Sequence, residues 1–329
     1  MPSDRPSQHI VLAGASSLLG AELKSLLEES RFAGWDLSLV DEETAAGTLT
    51  EAAGEPAVIQ PVEEGTFARA QLIFFTGSAS FTDANLAPAR QSGAIVIDLA
   101  GAALKIPEVR VWFTPRNADK STKLFVIPSA PGLVSGRLLS GLSDVGASRF
   151  AIVFFRPVSE AGRAGVEELE SQTSQLLSFQ SVGQPVFDTQ VAFSLLDQYG
   201  SASRESLKSV KDRVRLELSA GFAKSAVQPA IQVLHAPVFY GYTFVAIAEF
   251  EARDTSEGLV ETLRNAGFSL ETEASSLMGN LIAAGDSAIH LALPASDPAQ
   301  PGTWWLWGAA DNIRLPAASA VKLAEELLG

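Results

Sequence analysis

The segment His9-Ile-Val-Leu-Ala-Gly14 is an unbroken apolar run ending on glycine, and Leu19, Leu23, Leu26 and Leu27 follow it at helical spacing. An apolar run without alternation fits a strand covered on both faces, so the chain begins strand, tight turn, helix. Further strands are expected at 35–40, 71–75, 94–98 and 124–127, with a helical stretch between 75 and 94. Strands alternating with helices imply a Rossmann-type, doubly wound parallel sheet.

The texture changes after the Pro, Ser and Gly-rich stretch 128–136. Longer strand-like segments are expected at 150–157, 230–237, 243–252, 288–293 and 303–307, with helices at 164–179 and 203–220. This reads as an α+β domain with a mixed sheet, of the kind used for dimer contacts. Alternation puts Trp305 and Trp307 on one face of their strand, as interface or core. A final helix over 316–328 starts at proline and ends at glycine. Two domains suit 329 residues: 1–135 completed by 311–329, and 136–310.

The formal charge of −14, without a cluster of Lys and Arg, excludes a nucleic-acid partner and disfavours an anionic membrane surface. The segment 1–8 is polar, and no apolar stretch reaches the ~18 residues a bilayer span needs, so a cytoplasmic protein is expected. The chain has no cysteine, which removes disulfides, thiolate metal sites and a thiol nucleophile together. His9, His235 and His290 lack metal-ligand spacing, so no metal is expected.

Gly14-Ala-Ser-Ser-Leu-Leu-Gly20 sits between strand and helix, where a dinucleotide pyrophosphate rests on backbone amides. Gly14, Ser16, Ser17, Leu18 and Gly20 are its candidate contacts, although Ser17 stands where the fingerprint has its middle glycine. Asp41, ~20 residues further on, suits the hydroxyls of an adenosine ribose. Asp41, Glu42 and Glu43 would repel a 2′-phosphate, so NAD is favoured over NADP. A strand–helix turn and a solvated acidic loop are the structural alternatives.

Five segments, in order, resemble the aspartate-semialdehyde dehydrogenase family. They are Gly14 to Gly20, Gly93-Ala-Ile-Val-Ile-Asp-Leu99, Pro157-Val-Ser-Glu-Ala-Gly-Arg-Ala-Gly-Val-Glu-Glu-Leu169, Ala236-Pro-Val-Phe-Tyr-Gly241, and Asp311-Asn312 before the last helix. The resemblance implies the two-domain fold, a homodimer made through the second domain, and dinucleotide contacts from Ser159 and Asn312. It also implies NADPH-dependent reductive dephosphorylation of aspartyl phosphate, in which a cysteine thiolate forms the covalent intermediate. This chain departs from it at every catalytic position. Gly132 stands where the cysteine should be, Arg156 replaces the orienting glutamine, His235 the substrate arginine, Tyr242 the catalytic histidine, and Glu160 a glycine near the nicotinamide. Loss of a nucleophile alone costs ~10⁴ to 10⁶ in rate. A degenerate, catalytically inactive paralogue is therefore expected.

Other chemistries stay open at this point. Tyr242 or His235 could serve as the acid for direct hydride transfer to a small carbonyl, with Lys105 or Lys120 acting on Tyr242. Ser129 or Ser135 could pair with His235, oriented by Asp188 or Glu249. Arg156, Arg116, Lys105 and Arg314 could form a basic cleft for a small anion. The alternatives are a satisfied polar group for His235 and packing beside Phe239 and Tyr240 for Tyr242.

Overall fold

A computed structural model describes residues 8–52, 54–113, 119–223, 227–251, 256–271 and 277–329. It divides into two compact units, Met1–Pro128 with Pro316–Gly329, and Ser129–Leu315. The division falls close to 135/136 and 310/311 but not on them. Ser129 caps the helix that follows, so that helix belongs wholly to the second unit.

The first unit runs β1 (His9–Ala13), α1 (Leu18–Glu29), β2 (Asp36–Asp41), β3 (Leu49–Ala52), β4 (Glu55–Val58), β5 (Gln60–Pro61), β6 (Leu72–Phe75), α2 (Ala79–Gln91), β7 (Ile95–Asp98), β8 (Arg110–Val111) and β9 (Leu124–Val126). Its sheet has the order β5-β2-β1-β6-β7-β9-β8, with every pairing parallel. Residues of β1 and β6 are almost fully enclosed, as their unbroken apolar runs require. Strand order reverses between β1 and β6, the switch point where open α/β sheets take ligands. The chain crosses there through Gly14, at φ +91°, where a Cβ would stand 2.1 Å from the Gly77 amide nitrogen. The short hairpin β3–β4 lies outside the sheet, and sequence pattern gave no sign of it.

The second unit contains α3 (Ala130–Asp144), β10 (Ala147–Arg156), α4 (Gly162–Leu177), α5 (Leu207–Gly221), β11 (Ala230–His235), β12 (Tyr242–Phe250), α6 (Ser256–Asn265), β13 (Phe268–Glu271), α7 (Asn280–Ala283), β14 (Ile289–Ala292), β15 (Ala295–Ser296) and β16 (Thr303–Ala310). Then α8 (Arg314–Leu328) carries the chain back to the first unit. The sheet order is β11-β10-β12-β16-β14-β13, with β15 beside β16, in mixed orientation. Phe150, Ile152, Phe154 and Arg156 of β10 and Tyr242, Phe244, Ala246 and Ala248 of β12 point to the covered side, which α3 and α5 pack. The alternate residues face outward: Val153 pairs with Val245 and Val245 with Trp307, while Ile247 pairs with Trp305. Trp305 and Trp307 share this face at 41% and 37% exposure, while Trp304 is core.

Helix α3 begins within the Pro, Ser and Gly-rich stretch 128–136, where no helix was expected. Its first turn, Ala-Pro-Gly, hides the helical period, yet proline is well suited to a first turn. The missed α6, β13, α7 and β15 are short pieces whose periods are too brief to register. The end of the expected strand 243–252, at Ala252, lies outside the described residues. Among the described residues, no helix is long and apolar enough to cross a membrane.

Gly14→Ala places a side chain at a positive φ and against the Gly77 backbone, so it should destabilise the first unit by at least ~2 kcal/mol in urea unfolding. Gly34→Ala, with nothing within 4 Å of the added methyl, should change stability little.

Candidate functional site

The turn after β1 is closed by its own side chains. Ser17 caps α1: its Oγ accepts from the Gly20 amide at 2.8 Å and lies 2.9 Å from the carbonyl oxygens of both Gly14 and Thr76. Gly20 must be glycine, because a Cβ there would stand 2.5 Å from the Gly14 carbonyl oxygen. The Asp41 carboxylate accepts from the amides of Ser16 and Glu42, each at 2.8 Å, and is nearly enclosed. Glu42 in turn accepts from Ser78 Oγ, the N-cap of α2, at 3.0 Å. Gly14, Ser16, Ser17, Leu18, Gly20 and Asp41 are thus brought together. First-turn amides have no intrahelical acceptor, and that of Gly20 is taken by Ser17, which leaves those of Leu18 and Leu19 without an acceptor among the described residues. Another acid organises the end of β7. The enclosed Asp98 accepts from the amides of Ala100, Gly101 and Ala103 at 2.7–2.9 Å.

In the second unit, Arg156 ends β10 beside His235, its register partner on β11. Only 2% of Arg156 is exposed. It donates from Nη1 to the Tyr199 hydroxyl at 2.9 Å and from Nη2 to Glu205 at 2.6 Å, and its guanidinium stands over the Tyr199 ring. Burial disfavours the charge, but Tyr199, Tyr242, Glu160 and Glu205 act against that, and the group is held firmly protonated. Tyr199 also meets His235 Nδ1 at 3.3 Å, and His235 Nε2 lies 3.3 Å from the Val191 carbonyl oxygen. Burial pulls the His235 imidazole down to about 4, against its bond to Val191, and the Arg156 charge adds to the fall. Glu160 carries a carboxyl that burial pushes up, opposed by Arg156, Arg213 and a hydrogen bond with Asn312.

Tyr242 is fully buried and packs edge-on to Phe154 at 5.9 Å, whereas Phe239 and Tyr240 are exposed. Tyr242 thus packs as an aromatic, as its structural alternative had it, but the ring it meets is Phe154 and not Phe239 or Tyr240. Burial, then Glu160, raises its phenol well above the usual range, and its enclosed hydroxyl has no hydrogen-bond partner of regular geometry. Such a group does not hand a proton to a substrate at neutral pH.

The serine–histidine reading also fails on geometry. His235 bonds to Tyr199 and Val191, while the Asp188 carboxylate takes the Ala202 amide and Glu249 pairs with Arg149. Ser129 caps α3 and gives its hydroxyl to Glu217, and Ser135 is enclosed within α3. Gly132 is the third residue of α3, and its amide points to Ser129 Oγ at 3.3 Å. Of the residues expected to form a basic cleft, Arg156 is already paired with Glu205, Lys105 belongs to the first unit, and Arg116 lies outside the described residues.

Ser159 and Asn312 do meet, both in the second unit. Asn312 Oδ1 accepts from Ser159 Oγ at 3.2 Å and from the Gly241 amide at 3.0 Å. Among the described residues, no three His, Asp or Glu side chains are grouped to hold a metal ion. The sequence reading missed Tyr199, Glu205, Arg213 and Glu217. Only the Arg213–Glu217 pair had a local signal, its i,i+4 spacing on a helix.

The pH response of His235 follows from its environment. The unfolded chain takes up a proton near pH 6.5, while the folded imidazole resists until about 4. Stability should therefore fall as pH drops through that window, by up to about 3 kcal/mol from this residue. Urea titrations of wild type and His235→Gln at several pH values check this, since the variant should lack that part of the slope.

The profile described as the semialdehyde dehydrogenase NAD binding domain matches residues 9–122, and that of the dimerisation domain of the same family matches 139–315. A protein named USG-1 protein homolog from Azotobacter vinelandii is 27% identical, with 98% of each chain covered. An aspartate-semialdehyde dehydrogenase from Rickettsia bellii is 23% identical, with 97% of each chain covered. Among solved structures, aspartate semialdehyde dehydrogenase II from Vibrio cholerae superposes with a TM-score of 0.86 at 22% identity, over 97% of this chain and 98% of that one. A probable aspartate-semialdehyde dehydrogenase from Pseudomonas aeruginosa gives the same TM-score at 26% identity, with the same coverage. Two profiles that together span most of the chain, in the order in which its two sheets are built, make the assignment: this chain belongs to the semialdehyde dehydrogenase family.

Proposed function

We propose that this chain is a cytoplasmic, homodimeric member of its family that binds a dinucleotide, NAD in preference to NADP, and does not carry out the thiol-dependent reaction of aspartate-semialdehyde dehydrogenases. One observation carries the reading. The chain has no cysteine, and the side chains at 156, 235 and 242 are enclosed, with Arg156 and His235 both bonded to Tyr199. A thiohemiacetal needs a soft nucleophile and an exposed acid or base beside it. The chain offers neither. Direct hydride transfer with Tyr242 or His235 as the acid fails for the same reason, and a small anion finds Arg156 already neutralised by Glu205.

Dinucleotide binding rests on the turn between β1 and α1. The free first-turn amides of Leu18 and Leu19, at the positive end of a 12-residue helix, suit a pyrophosphate. The preference for NAD rests on Asp41 and Glu42. Asp41 already holds the Ser16 and Glu42 amides, and a 2′-phosphate brought there would meet two carboxylates instead of free donors. The Candida albicans aspartate semialdehyde dehydrogenase, whose fold is similar at a TM-score of 0.68 and 14% identity, was solved with NADP.

Self-association rests on the open face of the second sheet. Val153, Phe155, Val245, Ile247, Trp305 and Trp307 lie on one face of neighbouring strands, half-buried or exposed, and exposed apolar patches mark interaction sites. A two-fold pairing of this face with a second copy covers it on both chains.

In thermal-shift measurements NAD should raise the melting temperature more than NADP at equal concentration, and Asp41→Ser should narrow the difference. A larger shift with NADP would refute the acidic-loop argument. Phosphate-dependent oxidation of aspartate semialdehyde by the purified chain would refute the proposed inactivity. For assembly, light scattering should give a dimer for the natural chain and a monomer for Val245→Glu, because the carboxylate would lie unpaired at the centre of the contact.

A further inference from the structure

The start of α3 is held by an acid from α5 that the proposed function leaves unused. Glu217, on α5, is completely enclosed. Its Oε1 accepts from the Ser129 amide at 2.8 Å and from Arg213 Nε at 2.9 Å, and its Oε2 accepts from Ser129 Oγ at 2.8 Å. Both oxygens are therefore used, by a backbone amide, a hydroxyl and a guanidinium, at the amino end of a 15-residue helix. A carboxylate taken this far from water is stable only with such a complete set of donors. Nothing in that set is specific for a glutamate side chain. What the donors recognise is a carboxylate.

We infer that Glu217 is an internal counter-anion occupying a carboxylate-sized site built by Ser129 and Arg213, and that the site, once emptied of this side chain, takes a free small carboxylate. Replacing Glu217 by alanine removes a CH₂–COO⁻ fragment, and acetate, CH₃–COO⁻, has the same shape and charge. In the natural chain the internal acid shuts this site to external oxyanions, at the helix turn that contains Gly132. The inference is independent of dinucleotide binding and of dimer formation.

Melting of the full-length natural chain, Glu217→Ala and Glu217→Gln in sodium acetate and in sodium chloride of equal ionic strength, at neutral pH, tests it. Glu217→Ala should melt several degrees below the natural chain in chloride and regain much of the loss in acetate, saturably, while the natural chain shows no such difference. Glu217→Gln fills the space without the charge; it should be destabilised and should not respond to acetate. Equal acetate effects on the natural chain and Glu217→Ala, or a Glu217→Gln variant as stable as the natural chain, would overturn the inference. If Glu217→Ala does not fold in chloride, its recovery as soluble, folded protein in acetate supports the site, and failure in both salts counts against it.

Discussion

A guanidinium stays charged at any pH a protein meets, so enclosing Arg156 at the end of β10 obliges the second unit to bring partners to it. Glu205 supplies the countercharge, Tyr199 a hydroxyl and a ring, and Glu160 a further carboxyl on the adjoining segment. Each of those residues is then committed. Tyr199 reaches on to His235, which is left neutral, and Tyr242 is sealed against Phe154. One buried cation thus organises Tyr199 and Glu205, while burial itself sets the state of His235 and Tyr242.

Carboxylates take the corresponding part at the backbone. Asp41 holds the glycine-rich turn, Asp98 the loop after β7, Glu217 the start of α3, and Asp311 the start of α8. Amides at such places are the usual seats of anionic ligands, and here many are spent on the chain's own acids. Part of the excess negative charge is therefore internal. Beside Asp41, the Ser17 cap takes only the Gly20 amide of the first turn of α1, and the proposed dinucleotide site rests on the two that precede it.

The alternating strands and helices of the first unit were legible because buried parallel strands leave unbroken apolar runs, as in β1, β6 and β7. The second sheet was legible for the opposite reason: β12 and β16 are covered on one face only, and their residues alternate. Helix α3 was not, since Pro131 and Gly132 in its first turn mask the period. Of the site, Arg156, His235 and Tyr242 could be singled out by matching family motifs, but the motifs were silent on their partners.

The sequence by itself determined the absence of a thiol, the glycine-bearing turn between β1 and α1, and the acid at the end of β2, because each is a property of residue type at a local spacing. Only the tertiary structure decided that Asp41 faces the Ser16 amide, that Glu205 and Tyr199 converge on Arg156, and that Glu217 reaches Ser129 across 88 residues. The physical reason is that pairing of buried charges depends on which side chains share an enclosed space. No period or propensity along the chain encodes that.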